Sequence, residues 1–500
     1  MNKATGPDEI PAHLLKICSL EIAPALTLIF ESSIKQGKVP EEWKQANISP
    51  IYKKGEKSKA SNYRPVSLTS VCCKLLEHAI HSHMMAYLDK HHILTTQQHG
   101  FRGGHSCETQ LIQTMHDLTF TQNNQTQTDA VIMDFAKAFD MVPHQRLLVK
   151  LKQYGISGKI YDWLSAFLTN RSQRVVVSGE HSKWVKVVSG VPQGTVLGPL
   201  LFLLYINDLP DNLHSTVRLF ADDCVIYRPI NSSRDAALLQ QDLDSLKTWE
   251  QKWQMSFNAD KCFVLRFPAS QTPIVTKYTL GGETLQETTS YTYLGAEINH
   301  DLKWNLHVDK VVSKANKLLG FVRRNLSSCT RDTKIAAYKT LIRPSLENCC
   351  GVWDPHTQTN INQLEKIQRR SARMVNNNYN WRASVTDMIK QLDWVPLETR
   401  RKTARLAIFH KAMGGHLALP VQSYLQPVQR ITRRSQENSF IQPQVRINTY
   451  KFSYIPRTTT DWNDLPASLT TIVEPDQFKT ALKTHFKEKL NKLNNQNNSD

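Results

Sequence analysis

The sequence predicts an α+β fold with a mainly helical C-terminal region. Residues 216–229 contain two short apolar runs on either side of a polar pair, a pattern typical of a tight hairpin. Residues 131–133 form another apolar run that ends at an aspartate, which indicates a buried strand. Residues 303–405 instead alternate apolar residues at helical spacing with clusters of Lys and Arg, which is typical of amphipathic helices.

The composition favours a polyanionic partner. The 500 residues include 62 Lys and Arg against 44 Asp and Glu, giving a formal charge of +18. Such a charge suits nucleic acid or an anionic membrane surface. The longest apolar run, VLGPLLFLLYI, is too short to span a bilayer and is interrupted by Gly198 and Pro199. We therefore expect no membrane partner and an intracellular protein of nucleus and cytoplasm, because the N-terminus also shows no secretory signal.

The nine cysteines do not predict a metal or disulfide framework. They are scattered, and no C-x-x-C occurs among them, which argues against both a disulfide scaffold and a zinc finger. The helical pattern at residues 71–94 carries five histidines, but they lack a fitting set of metal-binding partners.

Two segments in the first 130 residues suit phosphate binding. A strand-like run is followed by a basic turn containing Lys53 and Lys54, and then by Arg64. A guanidinium pairs with phosphate oxygens in a bidentate way, which suits a triphosphate, although a solvated basic loop explains these residues equally well. In GFRGGHS, the glycines permit a close backbone approach and Arg102 offers a phosphate contact.

Three aspartates predict a divalent metal site. A carboxylate at the end of a buried strand, such as Asp134, is unfavourable unless it is paired or binds metal. If that strand pairs beside the hairpin, Asp134 meets Asp222 and Asp223. Three carboxylates can hold two Mg²⁺ ions roughly 3.5–4 Å apart for in-line phosphoryl transfer. Phe139 would then lie just beyond the metals, and Asp-Asp turn chemistry alone is the alternative for the aspartate pair.

The segment between these aspartates predicts a hairpin and a flat loop. RVVVSG and KWVKVVSG indicate two strands joined by a turn. SGVPQGTVLGP follows and opens a helix. Its glycines, including Gly194, allow the loop to lie against a ligand backbone, and Gln193 can hydrogen-bond to a base edge or sugar.

Seven blocks now carry a resemblance to a known family. In order they are YRPVSL, GFRGGHS, DFAKAFD, SGVPQGTVLGPLLF, FADD, WQMSFNADKC and YTYLG. They resemble the reverse transcriptases of non-LTR retrotransposons, in particular the jockey-like LINE elements. The resemblance covers almost the whole chain and implies a right-hand polymerase. It implies fingers at 1–130, a palm at 131–300, a thumb-like basic region at 301–400 and a C-terminal region at 401–500 with a disordered tail.

The resemblance also implies roles for individual residues. It implies metal ligands at Asp134, Asp222 and Asp223; a side chain that excludes the ribose 2′-hydroxyl at Phe139; triphosphate contacts at Lys53 and Arg64; nucleotide and template contacts at Gln193 and Gly194; and a proton donor to pyrophosphate at Lys261. The implied cofactor is a pair of Mg²⁺ ions, with Mn²⁺ as the alternative metal. The alternative role for Phe139 is a core aromatic, and the alternative for Lys261 is a surface lysine.

The basic residues within 303–405 predict a nucleic-acid-binding surface. They hold 20 Lys and Arg against 8 Asp and Glu, and so +12 of the chain's +18. One helical face is apolar, while other positions carry basic side chains that could follow a phosphate backbone, namely Lys310, Lys314, Lys317, Arg323 and Arg324. A solvated charged face is the alternative for this helix.

We therefore expect an RNA-directed DNA polymerase that extends a DNA primer or target with dNTPs on an RNA template. An RNA-directed RNA polymerase or a group II intron maturase-like protein shares the palm, but an aromatic at Phe139 argues against RNA synthesis. A non-catalytic RNA-binding remnant would have lost a carboxylate or a motif. No endonuclease is recognisable, so we expect polymerisation without target nicking by this chain, which is compatible with a fragment of a longer polyprotein.

Overall fold

The computed structural model describes residues 4–428 and 438–496. Its strands are β1 (Gln45–Tyr52), β2 (Tyr63–Leu68), β3 (Gln127–Asp134), β4 (Arg171–Val177), β5 (Glu180–His181), β6 (Val185–Val187), β7 (Thr216–Phe220), β8 (Asp223–Ile230), β9 (Phe263–Phe267), β10 (Thr279–Leu280), β11 (Glu283–Thr284), β12 (Gln286–Thr288), β13 (Ser290–Tyr293) and β14 (Ala296–Asn299).

Helices surround these strands and make up most of the chain after residue 300. They are α1 (Ala12–Ile17), α2 (Ser19–Gln36), α3 (Val71–Lys90), α4 (Cys107–Asn123), α5 (Ala138–Met141), α6 (His144–Gln153), α7 (Gly158–Leu168), α8 (Leu197–Ile206), α9 (Ser233–Trp253), α10 (Asn305–Asn325), α11 (Arg331–Ala337), α12 (Arg343–Glu347), α13 (Cys350–Trp353), α14 (Gln358–Val375), α15 (Val385–Gln391), α16 (Leu397–Met413), α17 (Val421–Tyr424), α18 (Asn448–Lys451), α19 (Tyr454–Asn463), α20 (Ala467–Thr470) and α21 (Pro475–Gln496).

A central sheet in the order β12-β9-β3-β8-β7 organises the middle of the chain. Its middle strand β3 pairs antiparallel with both β8 and β9, and every residue of β3 before Asp134 is buried. Val131 and Met133 join one hydrophobic core, whereas Ala130 and Ile132 join the other. Residues 130–133 are all apolar because a core covers each face of the strand, which confirms the predicted buried strand.

A second sheet, the N-terminal sheet, has the order β2-β1-β4-β5, with β6 also paired to β4. The antiparallel pairing of β4 with β6 confirms the predicted strand pair after residue 170. Strands β1 and β4 are parallel neighbours although they come from distant parts of the chain. Residue 130, the predicted end of the fingers, therefore does not separate one sheet from the other.

The C-terminal helices pack on the far face of the central sheet. Residues of α4, of the sheet and of the helices from α10 to α21 share one hydrophobic core. Inside this body, the buried Asp354 accepts from Arg401 Nε at 2.7 Å and also pairs with Arg405. Both arginines lie on α16, which crosses the predicted boundary at residue 400. Helix α21 extends to Gln496, and residues 497–500 of the predicted disordered tail lie outside the described residues.

Within residues 4–428 and 438–496, no helix combines the length and the apolar character needed to cross a bilayer.

Candidate active site at the Asp222–Asp223 hairpin

The predicted hairpin is present, with a two-residue connection. Phe220 pairs with Asp223, so only Ala221 and Asp222 lie between β7 and β8. Ala221 has a φ of 51°, a left-handed conformation that is uncommon for a residue with a side chain. Such a conformation persists where the surroundings hold it in place, so the turn needs support from neighbouring segments.

That support comes from Gln98, which the sequence analysis missed. Its side chain is only 2% exposed, and Oε1 accepts hydrogen bonds from Ala221 N at 2.9 Å and Gly100 N at 2.7 Å. A Cβ atom at Gly100 would lie 2.4 Å from Ala221 N. The GFRGGHS block therefore lies directly against the aspartate turn, and its first glycine is required by close packing.

The three aspartates converge, as the strand pattern predicted. Asp134 and Asp223 are directly opposite each other on β3 and β8. Directly opposed residues of an antiparallel pair project from the same face of the sheet. Asp222 precedes Asp223 and lies in the turn, and the charge of Asp134 acts on its carboxylate. The sheet register thus places three carboxylates at one edge of the central sheet.

Burial and mutual repulsion make the carboxyl groups of Asp222 and Asp223 hard to ionise. Burial, followed by the charges of Asp222 and Asp134, raises the pKa of Asp223 to about 6. Burial and Asp134 likewise raise the pKa of Asp222. Lys53 acts in the opposite direction and lowers the pKa of both residues, and Arg64 lowers that of Asp222. The predicted triphosphate-binding cations Lys53 and Arg64 therefore lie within electrostatic range of the aspartate pair.

Lys261 also lies at the carboxylates. Its Nζ atom is 2.7 Å from Asp134 Oδ2, and its side chain is 54% exposed. The backbone supports this arrangement, because Asn258 N donates to the Asp134 carbonyl at 2.7 Å. A lysine ammonium here is both close to the acidic centre and open to a bound substrate.

The donor set suits divalent cations. Carboxylate oxygens are the ligands that Mg²⁺ prefers, and a cation would remove the repulsion among Asp134, Asp222 and Asp223. In the described part of the chain, no three His, Cys, Asp or Glu side chains stand close enough together to hold one ion. The Asp134 carboxylate is instead neutralised by Lys261. The chemistry of the three carboxylates fits the predicted metal. Binding of the cation would require Asp134 to exchange its lysine partner for it.

Phe139 is part of an aromatic cluster beside the aspartates. Its ring stacks on Phe202 with centroids 4.5 Å apart, and Phe101 meets it edge-on at 6.3 Å. Phe139 is half-buried, and Phe101 is 56% exposed. The ring of Phe139 thus packs against the core on one side and is partly accessible on the other. Packing and substrate contact are therefore compatible roles for Phe139.

The predicted flat loop contacts the N-terminal sheet and helix α5. The Gln193 carbonyl accepts from Ser67 N on β2 at 2.7 Å, and Gln193 Nε2 donates to Asp140 Oδ1 at 3.4 Å. Gly194 has a φ of 111°, and a Cβ there would lie 2.6 Å from Ser67 O. Only glycine fits this close approach. Gln193 also lines a cavity of about 370 Å³ between the loop and the N-terminal sheet.

A second supporting residue missed by the sequence analysis is Glu77 on α3. Its side chain is fully buried, and Oε2 accepts from Val196 N at 2.7 Å and Leu197 N at 3.0 Å. These are N–H groups at the start of α8, where backbone donors lack helical partners. Glu77 therefore anchors the helix that follows the Gln193 loop.

The predicted nucleic-acid contacts are placed in two different ways. Arg102 is half-buried, and its Nη1 donates to Thr95 O at 2.6 Å and to Gln98 O at 3.4 Å, so it supports the loop that carries Gln98. Its contact with nucleic acid stays a prediction. The basic residues of α10 are exposed, namely Lys310, Lys314, Lys317, Arg323 and Arg324. Lys310 pairs with the buried Glu297 at 2.7 Å.

Comparison with known proteins assigns this site to a family. Residues 51–298 match the family described as reverse transcriptase (RNA-dependent DNA polymerase). This range contains the three aspartates, Lys53, Lys261 and the loop with Gln193 and Gly194. The predicted α+β right-hand polymerase fold is confirmed by this assignment. Apo telomerase from Candida tropicalis superposes with a TM-score of 0.42 at 12% identity, covering 74% of this chain and 64% of that one, a likeness too weak to support any further argument.

Curated relatives come from mobile elements of Drosophila melanogaster. The chain is 28% identical over 393 residues to the probable RNA-directed DNA polymerase from transposon X-element, covering 75% of this chain and 42% of that protein. It is 26% identical over 392 residues to the RNA-directed DNA polymerase from mobile element jockey, with the same coverage of 75% and 42%. For the probable polymerase from transposon BS, identity is 27% over 465 residues, covering 89% and 50%.

The chain thus spans half or less of the length of these relatives, from 42% to 50%. The matches to these relatives cover 75% to 89% of the chain and so extend beyond the matched domain. Residues 51–298 therefore belong to the reverse transcriptase family, and the chain is similar to polymerases from mobile elements such as jockey.

Proposed function

We propose that this chain is an RNA-directed DNA polymerase that extends a DNA primer with dNTPs on an RNA template by two-metal phosphoryl transfer. The observation that carries the proposal is the convergence of Asp134, Asp222 and Asp223 at the edge of the central sheet within a reverse transcriptase domain. A non-catalytic remnant has no need to maintain three mutually repelling carboxylates.

In this proposal the three aspartates hold two Mg²⁺ ions, which Mn²⁺ can replace. Bound there, the ions would activate the primer 3′-hydroxyl and neutralise the leaving pyrophosphate. The role of the protein is to hold the three carboxylates in position. Gln98 and Gly100 do so by holding the turn that carries Asp222.

The cations on the other side of the site bind the triphosphate in this proposal. Lys53 and Arg64 already influence the aspartates electrostatically, and their charges would balance the phosphates of an incoming nucleotide. Lys261 would donate a proton to pyrophosphate as the bond between the α-phosphorus and its bridging oxygen breaks. Its position 2.7 Å from Asp134 supports this role.

Phe139, Gln193 and Gly194 would select and align the nucleotide. The stack of Phe139 on Phe202 fixes the ring, so that it forms a wall against a ribose 2′-hydroxyl. The contacts of Gln193 and Gly194 with Ser67 hold the loop against the strand that also carries Arg64. A loop fixed in this way presents a flat surface to the nucleotide and the template.

The remaining parts of the proposal concern the surroundings of the site. Residues 1–130, 131–300, 301–400 and 401–500 act as fingers, palm, thumb and C-terminal region, with β4–β6 joining the fingers sheet. The exposed basic face of α10 follows the duplex of RNA template and DNA primer. The protein acts inside the cell, in cytoplasm and nucleus, where an element's RNA and its DNA target are found.

Primer extension tests the proposal. The purified chain is given a DNA primer on an RNA template with Mg²⁺, and either dNTPs or rNTPs are supplied. We expect DNA products with dNTPs and little extension with rNTPs. Equal extension with rNTPs would favour an RNA-directed RNA polymerase instead. A folded chain that binds the template and never extends the primer would favour a remnant.

A further inference from the structure

A pair of exposed aromatic side chains lies in the segment between α14 and α15. In this segment, residues 376–384, which we term the aromatic loop, Trp381 is 80% exposed and Tyr379 is 52% exposed. Large aromatic side chains are usually well buried, because each removes a large apolar area from water. Two that point outward from one short loop therefore indicate a contact surface.

The aromatic loop is held in place by contacts with its own chain. Arg373, on the last turn of α14, donates from Nη1 to Asn380 O at 2.7 Å and from Nη2 to Ala383 O at 3.4 Å. Asn380 Oδ1 in turn accepts from Arg382 N at 3.0 Å. The aromatic rings are thus displayed on an ordered backbone, which lowers the entropic cost of binding.

The charge next to the loop is predominantly positive. Residues 366–386 contain five Lys and Arg and no Asp or Glu. Lys366, Arg369 and Arg370 are exposed on α14 at helical spacing, so they lie on one face that leads toward the loop. The Arg382 guanidinium lies 5.0 Å from the centre of the Trp381 ring. A partner for this surface must be negatively charged and must offer flat groups that stack.

This surface is continuous with the basic face of α10. Arg370 Nη1 donates to Asn316 Oδ1 at 2.9 Å, and Asn316 lies between the exposed Lys314 and Lys317 along α10. The contact joins two helices that both expose several cationic side chains. A strand leaving the α10 face could therefore continue along α14 to the aromatic loop.

We propose that the aromatic loop and the exposed face of α14 form a binding site for single-stranded RNA, separate from the polymerase centre. Tyr379 and Trp381 stack on unpaired bases, while Lys366, Arg369 and Arg370 contact the phosphates. Duplexes are excluded from the stacking contacts because their bases already stack on one another. The choice of RNA rests on the proposed function, in which the chain handles an RNA template, whereas the stacking chemistry does not.

Equilibrium binding of the full chain to a fluorescein-labelled oligouridylate of about 12 nucleotides, a length within known single-strand site sizes, tests the proposal. Fluorescence anisotropy is measured over a series of salt concentrations. Replacing Tyr379 and Trp381 together with alanine should weaken binding by at least about fivefold, and by up to about 150-fold for each base that loses its stacking partner. The dependence on salt should stay parental, because stacking releases no counterions.

Two matched variants separate stacking from charge. Trp381→Phe with Tyr379→Phe keeps both rings and should bind nearly as tightly as the parent. Arg369→Gln with Arg370→Gln keeps the rings and should flatten the salt slope by up to about 1.4 units, since each phosphate on a single strand contributes about 0.7. Parental affinity in the double alanine variant, with its thermal unfolding unchanged, would overturn the proposal.

Three further results complete the test. An RNA duplex of the same length should bind the parent and the double alanine variant alike. If vesicles of phosphatidylserine and phosphatidylcholine bind in a Trp381-dependent way while RNA binding does not change, the surface serves a membrane and the proposal fails. Asp222→Asn should bind the oligouridylate normally, so loss of polymerisation alone would contradict the proposed function and leave this site standing.

Discussion

A substitution at Gln98 tests how the aspartate turn is held in place without changing the catalytic aspartates themselves. Gln98→Leu removes the acceptor shared by Ala221 N and Gly100 N, at 2.9 and 2.7 Å, while preserving side-chain volume approximately. Each buried N–H that loses its partner costs about 1–3 kcal/mol, so the intact turn would be destabilised by about 2–6 kcal/mol. Relaxation of the turn would recover part of this cost and displace Asp222.

The expected consequence is kinetic. A displacement of about 1 Å at a catalytic group lowers rates by about 100-fold, so single-nucleotide addition by Gln98→Leu should slow by about that factor at saturating dNTP and primer–template. Rapid-quench measurement of the first addition separates this effect from binding. The affinity for primer–template should change little, because the basic residues of α10 are untouched.

A matched control is Gln110→Leu. Gln110 is also fully buried, but its Nε2 donates to Tyr293 OH at 3.2 Å. This variant should lose stability and retain the parental rate of addition. The reasoning is refuted if Gln98→Leu keeps its rate within about threefold, or if both variants lose activity in proportion to their loss of stability.

Three further predictions concern sugar choice, metal-free stability and salt dependence. Phe139→Val should raise the ratio of the specificity constants for rNTP and dNTP, and an unchanged ratio would make Phe139 a packing residue alone. Asp223→Asn should stabilise the metal-free protein at pH 7 by at most about 3 kcal/mol in chelator, measured by urea unfolding. Asp223 in the folded state has a pKa of about 6 against 3.8 as the usual value, so the folded protein binds more protons between these values and loses stability as the pH rises through them. The advantage of the variant should therefore shrink as the pH falls and vanish below about pH 3. An advantage that does not change between pH 7 and about pH 3 would contradict the assignment. Lys314→Gln with Lys317→Gln should flatten the salt slope of duplex binding by up to about two units. Lys310→Gln should flatten it less, because Lys310 is already paired with a buried carboxylate. A slope that does not change would mean that these lysines face solvent only.

Local pattern was sufficient to predict the centre of the site. The apolar run before Asp134 and the two runs around the Asp222–Asp223 pair specify strands that end or turn at carboxylates. Strands of this kind pair through their backbones, so their ends meet at a sheet edge. The register Asp134–Asp223 then follows from the requirement that both cores be filled.

The supporting residues could not be predicted in the same way. Gln98 and Glu77 are ordinary polar residues whose roles depend on backbone groups more than 100 positions away. Arg102 was predicted to contact phosphate because it lies among glycines, yet its guanidinium is bound to carbonyl oxygens of its own loop. The predicted domain boundary at residue 130 divides the chain by sequence order. Strand β4 lies after this boundary and yet pairs with β1, which lies before it.

The most direct test of the account is the rate of first-nucleotide addition by Asp222→Asn. The matched control is Asp332→Asn, which changes an exposed aspartate at the start of α11. Both purified variants are given the same RNA template, DNA primer, dNTP and Mg²⁺, and template binding is measured in parallel. The account predicts that Asp222→Asn binds template normally but adds no nucleotide, while Asp332→Asn matches the parent. Near-parental addition by Asp222→Asn would remove this aspartate from the catalytic centre and contradict the proposed function of the hairpin.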